Sequence, residues 1–196
     1  MRERAYVREV GPRDGIQLVK TILSTEQKLA WIRKEAAAGM RYIEVTSFVP
    51  PHVIPQFADA AEVTRGALDV PGLEPAVLVP NLKGAQLAFE ASAPKVHYVL
   101  SASEQHNLAN VRRSTADSVA DFGRLIAERD ARGLKGRVRV AGAIATAFGC
   151  TLQGDVPERQ VVAVAEKLAA AGAEEIILAD TVGYGNPAQV RRLFGD

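Results

Sequence analysis

The chain has 196 residues, of which 47% are hydrophobic and 24% charged, and its formal net charge is +1. These values are ordinary for a single soluble globular domain, and the near-neutral charge gives no reason to expect nucleic-acid or membrane partners. One cysteine, Cys150, excludes an internal disulfide framework and favours a reducing compartment. No apolar run approaches the roughly 20 residues of a membrane span, and residues 1–4 carry no apolar signal segment. We therefore expect a cytoplasmic protein.

Strand-like and helix-like patterns alternate about six times along the chain. The predicted strands cover residues 5–10, 41–46, 74–80, 95–100, 137–145 and 174–180. The predicted helices cover residues 24–39, 58–68, 82–91, 114–132 and 157–171, with a last one starting at Pro187 and running to Asp196. Ser24 and Gln27 have the spacing of a capping box at the start of the first helix. The segment 101–107 is predicted to be a polar loop.

This alternation predicts a parallel sheet with crossover helices, which leaves two architectures: an open doubly wound sheet or part of a (β/α) barrel. No glycine-rich phosphate fingerprint follows the first strand, which disfavours a nucleotide-binding open sheet. Polar residues instead gather after strand ends, where a barrel assembles its site from many loops: Asp14, Ser47, Asn81, Ser103 and Asp180. We expect an α/β fold of the TIM (β/α)8 type, with about six βα units in a single domain over residues 1–196.

The first strand ends at Gly11-Pro12, and Arg13 and Asp14 follow at once. A carboxylate can ligate a hard divalent ion, and an adjacent guanidinium can fork onto a carbonyl or carboxylate of a small anionic substrate. The alternative is an ordinary surface ion pair in a turn. In the second strand Glu44 interrupts an apolar run, and an acid among buried neighbours is costly unless it is paired. Arg13 is its natural partner.

Four segments together resemble the 3-hydroxy-3-methylglutaryl-CoA lyases, in the same order and over nearly the whole chain. They are Gly11–Gln17, Ile43–Val49 with Pro55–Asp59, Pro80–Gly84 and Leu178–Gly183. The wider superfamily of metal-dependent lyases and Claisen condensing enzymes on a TIM barrel shares the Arg-Asp-Gly core. The Gly-Pro dipeptide before this core and the Thr-Ser-Phe sequence of the later loop resemble the lyases of this superfamily.

The resemblance implies cleavage of hydroxymethylglutaryl-CoA into acetoacetate and acetyl-CoA with Mg²⁺ or Mn²⁺. Asp14 matches the metal-ligating aspartate of the family. Arg13 matches the arginine that contacts the substrate carbonyl and stabilises the enolate, and Glu44 matches a glutamate that we interpret as orienting Arg13. Asp180 matches a further residue of the active site. In the family the metal lowers the pKa of the bound tertiary hydroxyl, and the cation stabilises charge that develops along the reaction path.

Three further residues match positions that bind the acyl-CoA substrate. Gln17 matches a residue lining the site, Lys20 matches a lysine near the CoA end, and Ser47 lies in the loop beside the substrate. An exposed lysine is more often simply solvated, and the alternative for Asp180 is that it caps the next helix or turn. The resemblance also implies a homodimer for the full-length protein.

The sequence departs from the family in one respect. The other metal ligands of the family are a His-x-His pair and a later asparagine, and no two of His52, His97 and His106 are one residue apart. A barrel needs at least about 200 to 250 residues, so two βα units are expected to be missing and the outer strands to expose their edges. The base of the reaction is expected from the missing histidines. Two alternatives stay open: a related acyl-CoA condensing enzyme, or an inactive truncated barrel.

Overall fold

A computed structural model describes residues 5–195; residues 1–4 and Asp196, the predicted end of the last helix, lie outside that range. The strands within it are β1 (Arg8–Glu9), β2 (Tyr42–Ser47), β3 (Glu74–Val79), β4 (Lys95–Ser101), β5 (Arg139–Ala145) and β6 (Glu175–Leu178). The α-helices are α1 (Thr25–Ala37), α2 (Ala60–Leu68), α3 (Leu82–Glu90), α4 (Glu104–Val111), α5 (Thr115–Ala131), α6 (Glu158–Ala170) and α7 (Pro187–Phe194). Across the described residues, no helix combines the length and apolarity that a membrane span requires.

The strands follow one another in chain order, β1 to β6, in one six-stranded sheet. The pairs β1–β2, β2–β3 and β5–β6 are parallel. Each strand is followed by at least one helix, as the crossover between parallel strands requires. The expected α/β fold is confirmed, and the unreversed strand order is that of a (β/α) barrel, because a doubly wound open sheet reverses its order at a switch point.

The chain divides into two compact units. The first comprises residues 5–79, 83–96 and 136–139, and its fully buried side chains include Ile32, Ile43, Val45, Val63 and Val77. The second comprises residues 80–82, 97–135 and 140–195, and its fully buried side chains include Tyr98, Leu100, Phe122, Leu125, Ile144 and Leu168. The single domain over residues 1–196 stays a prediction.

The predicted loop 101–107 is wrong, because helix α4 begins inside it. Ser103 caps this helix, its side-chain oxygen accepting a hydrogen bond from the amide of His106 at 3.2 Å. The helix ends at Arg112, which has the left-handed φ of 56°. Polar residues dominate the segment, so the sequence shows no apolar period there, and the capping bond is what fixes the helix start. The capping box of Ser24 and Gln27 is confirmed at the start of α1.

A buried polar centre holds the second unit together around Asp121 of α5. The carboxylate accepts hydrogen bonds from Arg113 at 2.7 Å, from Arg124 at 2.8 Å and from the amide of Leu82, the first residue of α3, at 3.0 Å. The hydroxyl of Tyr98 on β4 also lies 3.2 Å from it. Burial by itself would raise the pKa of Asp121, but the hydrogen bonds and nearby cations lower that pKa below its usual value.

Replacing this carboxylate should lower stability in a pH-dependent way. Because the folded-state pKa is lowered, ionised Asp121 stabilises the fold above its unfolded pKa of about 3.9, and that contribution is lost as pH falls through the folded pKa. We expect Asp121→Asn to cost about 2 kcal/mol of unfolding free energy at neutral pH and less as the pH falls through the folded-state pKa. Urea unfolding at neutral and acidic pH, with the exposed Asp155→Asn as control, measures this. An equal loss at both pH values would contradict it.

Candidate functional site

Residues Gly11–Gly15 form a single π-helical turn directly after β1. The carbonyl of Val10 lies 3.1 Å from the amide of Arg13, 2.7 Å from that of Asp14 and 3.5 Å from that of Gly15. Isolated π turns are rare in proteins, and those that occur are often found at functional sites. The turn places the guanidinium and the carboxylate side by side at the carboxyl end of the first strand, in place of the simple turn that the sequence predicted.

The turn requires glycine at its first position. A Cβ on Gly11 would lie 2.8 Å from Oε1 of Glu9 and 2.9 Å from the ring of Trp31 on α1. Glu9 itself accepts hydrogen bonds from the amides of Val10 at 2.9 Å and Gly11 at 2.5 Å. A side chain at position 11 would therefore push α1 away from the turn or break the Glu9 contacts.

The predicted pairing of Arg13 with Glu44 is confirmed: Nε of Arg13 donates to Oε1 of Glu44. The Nη1 atom of Arg13 donates to Oδ1 of Asp14 at 2.7 Å and to Oε1 of Gln17 at 3.3 Å. The side chain of Glu44 is 5% exposed, that of Arg13 15% and that of Asp14 59%. The buried carboxylate thus fixes the guanidinium from inside, while Asp14 remains open to a ligand.

A bulge in β2 brings Ser47 to the same face as Glu44. Glu44 pairs with Ala76 of β3 and Ser47 with Leu78, so three steps along β2 match two along β3, and Val45 lies in the irregular stretch. Since side chains alternate between faces, a regular strand would send positions 44 and 47 to opposite sides. The hydroxyl oxygen of Ser47 is buried and has no hydrogen-bond partner among the described residues. Such an atom is costly and suits a ligand or water.

The two remaining predicted substrate-binding residues, Gln17 and Lys20, both follow the π turn, and their role in substrate binding stays a prediction. Gln17 is half-buried and contacts the guanidinium of Arg13. Lys20 is exposed on the segment that follows the π turn.

Asp180 belongs to the second unit and follows β6 closely. Its two carboxylate oxygens accept hydrogen bonds from the amides of Tyr184 at 2.9 Å and Gly185 at 3.0 Å. A Cβ on Gly185 would lie 2.9 Å from Oδ2 of Asp180, so the loop fits closely around this carboxylate. The turn-capping alternative for Asp180 is therefore present in the structure, and its part in catalysis stays a prediction.

The residues present do not by themselves make a metal site. Within residues 5–195, no group of three His, Cys, Asp or Glu side chains is placed to hold a metal ion. Mg²⁺ takes about six oxygen ligands in near-octahedral geometry, and the exposed Asp14 supplies one carboxylate. The donor set fits a single ligand position, so the remaining oxygens would have to come from substrate, water or protein oxygens outside this set.

Sequence reasoning missed a buried lysine beside this site. Lys28 of α1 is 3% exposed, and its Nζ contacts the carbonyl of Gln56 and the carboxylate of Asp59, both at 2.6 Å. The signal was present in the sequence, because Lys28 lies one turn before Ile32 and therefore shares a helical face with that apolar residue.

A second missed pair lies at the carboxyl end of β4. The hydroxyl of Ser101 is 2.7 Å from Nδ1 of His106, and burial lowers the pKa of that imidazole. The pair was missed because residues 101–107 were predicted to be a loop, whereas the first turn of α4 carries the imidazole back to the strand end.

The orientation of Arg13 should depend on the charge of Glu44. In Glu44→Gln the ion pair becomes a hydrogen bond from the charged guanidinium to a neutral amide oxygen, and we expect a loss of about 2 kcal/mol of unfolding free energy. We also expect faster exchange of the Arg13 Nε–H proton with water in NMR spectra, because the buried acceptor has weakened. Glu62→Gln, on the exposed face of α2, is the matched control. An unchanged Nε–H signal in Glu44→Gln would contradict the fixing role.

Comparison with known proteins adds family relationships to this geometry. The family model described as HMGL-like matches residues 4–196. The chain is 38% identical over 192 residues to a hydroxymethylglutaryl-CoA lyase of Bacillus subtilis, covering 98% of this chain and 63% of that protein. It is 41% identical over 186 residues to a 3-hydroxy-3-isohexenylglutaryl-CoA/hydroxymethylglutaryl-CoA lyase of Pseudomonas aeruginosa, covering 95% of this chain and 61% of that protein.

Solved structures of such lyases share the fold. The enzyme of Bacillus subtilis superposes with a TM-score of 0.87 at 38% identity, covering 96% of this chain and 62% of that chain. An HMG-CoA lyase from Acinetobacter baumannii, in complex with coenzyme A and 3-methylmalate, gives 0.86 at 39% identity, covering 96% and 60%. The chain thus spans about three fifths of the length of the relatives it matches, and the fold is that of the matched part of these enzymes.

Proposed function

The chain belongs to the HMGL-like family, and from that premise we propose that it serves in the divalent-metal-dependent cleavage of 3-hydroxy-3-methylglutaryl-CoA to acetoacetate and acetyl-CoA. The observation that carries the proposal is the guanidinium of Arg13, fixed by the buried Glu44 beside the exposed Asp14. A cation of fixed orientation can bind an anionic acyl thioester, and the accessible carboxylate beside it can supply one ligand to the divalent ion.

The reaction breaks one carbon–carbon bond and needs neither an oxidant nor a reductant. Loss of the proton from the tertiary hydroxyl lets its oxygen form the ketone of acetoacetate as the C2–C3 bond breaks. The electron pair of that bond passes to the thioester as an enolate, which takes up a proton to give acetyl-CoA. Negative charge on the thioester oxygen therefore exists mainly along the reaction path, and a group that stabilises it accelerates the chemical step.

We assign that stabilisation to Arg13. Its Nε and Nη1 atoms are hydrogen-bonded to Glu44, Asp14 and Gln17, and we assign Nη2 to the substrate oxygen. Because Glu44 holds the guanidinium before substrate arrives, little reorganisation is needed when the charge develops. Ser47 supplies a hydroxyl on the Glu44 face, Gln17 lines the site, and Lys20 provides a cation suited to the phosphates of coenzyme A.

Asp14 is proposed as one ligand of the divalent ion, Mg²⁺ or Mn²⁺, and Asp180 as a further residue of the active site. Asp14 supports this because its carboxylate is well exposed and lies beside the substrate-binding arginine. The homodimer and the cytoplasmic location stay predictions; the names of the relatives include cytoplasmic and mitochondrial enzymes.

The direction of the reaction separates the lyase from a condensing enzyme of the same superfamily. The chain is incubated with Mg²⁺ and either 3-hydroxy-3-methylglutaryl-CoA or acetyl-CoA with a 2-oxo acid. Acetoacetate from the first substrate supports the lyase. Free CoA from the second mixture alone would favour the condensing acyltransferase, and no product from either would favour an inactive barrel.

Where acetoacetate is released, Arg13→Gln should lower kcat by about 100-fold or more, as the loss of one donor to a developing oxyanion does. KM should change much less, because the interaction strengthens only along the reaction path. Steady-state kinetics with Arg33→Gln, an exposed arginine of α1, as control tests this. A change confined to KM would rule out the enolate role.

Removing the proposed metal ligand should separate activity from folding. We expect Asp14→Ala to abolish Mg²⁺-dependent turnover while the thermal unfolding temperature changes little, because the side chain is exposed. Turnover is measured over a Mg²⁺ titration, with the exposed Asp69→Ala as control. Activity equal to that of the unaltered chain at saturating Mg²⁺ would reject the ligand role.

A further inference from the structure

A chain of buried hydrogen bonds in the first unit ends on the segment that follows the π turn. Lys28 of α1 donates to the carbonyl of Gln56 at 2.6 Å, and Nε2 of Gln56 donates to the carbonyl of Val19 at 2.5 Å. Lys28 is 3% exposed and Gln56 8% exposed. The link joins α1, the loop after β2 and the segment 17–22.

The lysine is not needed to fill space. Burying an ammonium group is costly unless it is paired, and an apolar side chain of the same length would pack at this position without that cost. Lys28 is paired with Asp59 at 2.6 Å, and Asp59 also accepts a hydrogen bond from the hydroxyl of Thr25 at 2.7 Å. The polar arrangement therefore serves to orient the carbonyl and side chain of Gln56.

The segment 17–22 has few other means of being held. Leu18 is 89% exposed, Ile22 56% and Val19 42%, so burial of their side chains contributes little. Ile16, just before the segment, is buried, and its carbonyl accepts a hydrogen bond from the amide of Val19 at 3.1 Å. Among residues 5–195, the Gln56 amide therefore provides a tertiary hydrogen bond that fixes Val19, which lies between Gln17 and Lys20 in the chain.

We propose that Lys28 and Gln56 are positioning residues that hold the segment 17–22 so that Gln17 and Lys20 are presented to the acyl-CoA. The part of this inference that concerns substrate rests on the proposed function, and the part that concerns the segment does not. Neither residue touches the reacting atoms. Their effect reaches the site through the carbonyl of Val19.

The first test measures the segment itself. In Gln56→Met the volume is nearly kept and the amide donor is lost, while the backbone carbonyl that accepts from Lys28 remains. We expect amide hydrogen exchange to become about tenfold faster over residues 17–22 and to stay unchanged in β2 and β3. Lys28→Met should have the same local effect with a larger loss of stability.

The matched control is Thr64→Val, which removes a buried hydrogen bond of 2.7 Å to the carbonyl of Ala60 within α2 of the same unit. It should leave exchange over 17–22 as in the unaltered chain. Unchanged exchange over this segment in Gln56→Met would overturn the proposal, as would an equal effect in Thr64→Val.

The second test separates positioning from a general loss of structure. We expect Gln56→Met to raise KM for 3-hydroxy-3-methylglutaryl-CoA about tenfold and to change kcat by less than about threefold, since binding contacts are displaced while Arg13 stays fixed by Glu44. A fall in kcat at constant KM, as from a smaller folded fraction, would overturn the positioning role. If the unaltered chain releases no acetoacetate, the proposed activity fails, and the exchange comparison by itself decides whether the two residues hold the segment.

Discussion

The ion pair between Arg13 and Glu44 is the interaction on which the site depends. Glu44 is buried in β2, where an unpaired carboxylate would be strongly unfavourable, so the guanidinium must reach it. That requirement fixes the position of the π turn, since Arg13 comes from the turn and not from a regular element. Gly11 lets the turn approach Trp31 and Glu9 closely enough for the pair to form.

Buried polar side chains join separate segments of the chain in both units. In the first unit Lys28 and Gln56 tie α1 and the loop after β2 to the segment behind the π turn. In the second unit Asp121 gathers two arginines, a tyrosine and the first amide of α3. Exposed apolar side chains contribute little to holding a segment in place. In both units, buried polar groups that must be hydrogen-bonded therefore hold separate segments together.

The family relationship and the geometry address different parts of the functional question. The relatives identify the class of chemistry, while the described residues show which part of that chemistry this chain can support by itself. They provide an oriented cation, an accessible carboxylate beside it, and a buried hydroxyl on the face of β2 that carries Glu44. They do not provide a complete set of metal ligands within residues 5–195.

Local apolar patterns predicted most elements of the fold. The two exceptions, α4 and the π turn, are both set by hydrogen bonds and not by an apolar pattern. Strands and helices with strong apolar periods were found within a few residues, because burying an apolar face dictates that period. Helix α4 was missed because a capping hydrogen bond from His106 to Ser103 starts it where no apolar period exists. The π turn was missed because its hydrogen bonds converge on one carbonyl in a stretch that reads as an ordinary turn.

The sequence by itself determined the α/β alternation, the capping box of α1, the Arg-Asp pair after the first strand and the need of Glu44 for a cation. Each of these follows from the local period of apolar residues or from the cost of a buried charge. Tertiary structure decided the face of Ser47, which depends on a register shift against β3, and the pairing of Lys28, whose partners lie 28 and 31 residues further along the chain. Such contacts depend on how separate segments pack together, and no local pattern encodes that distance.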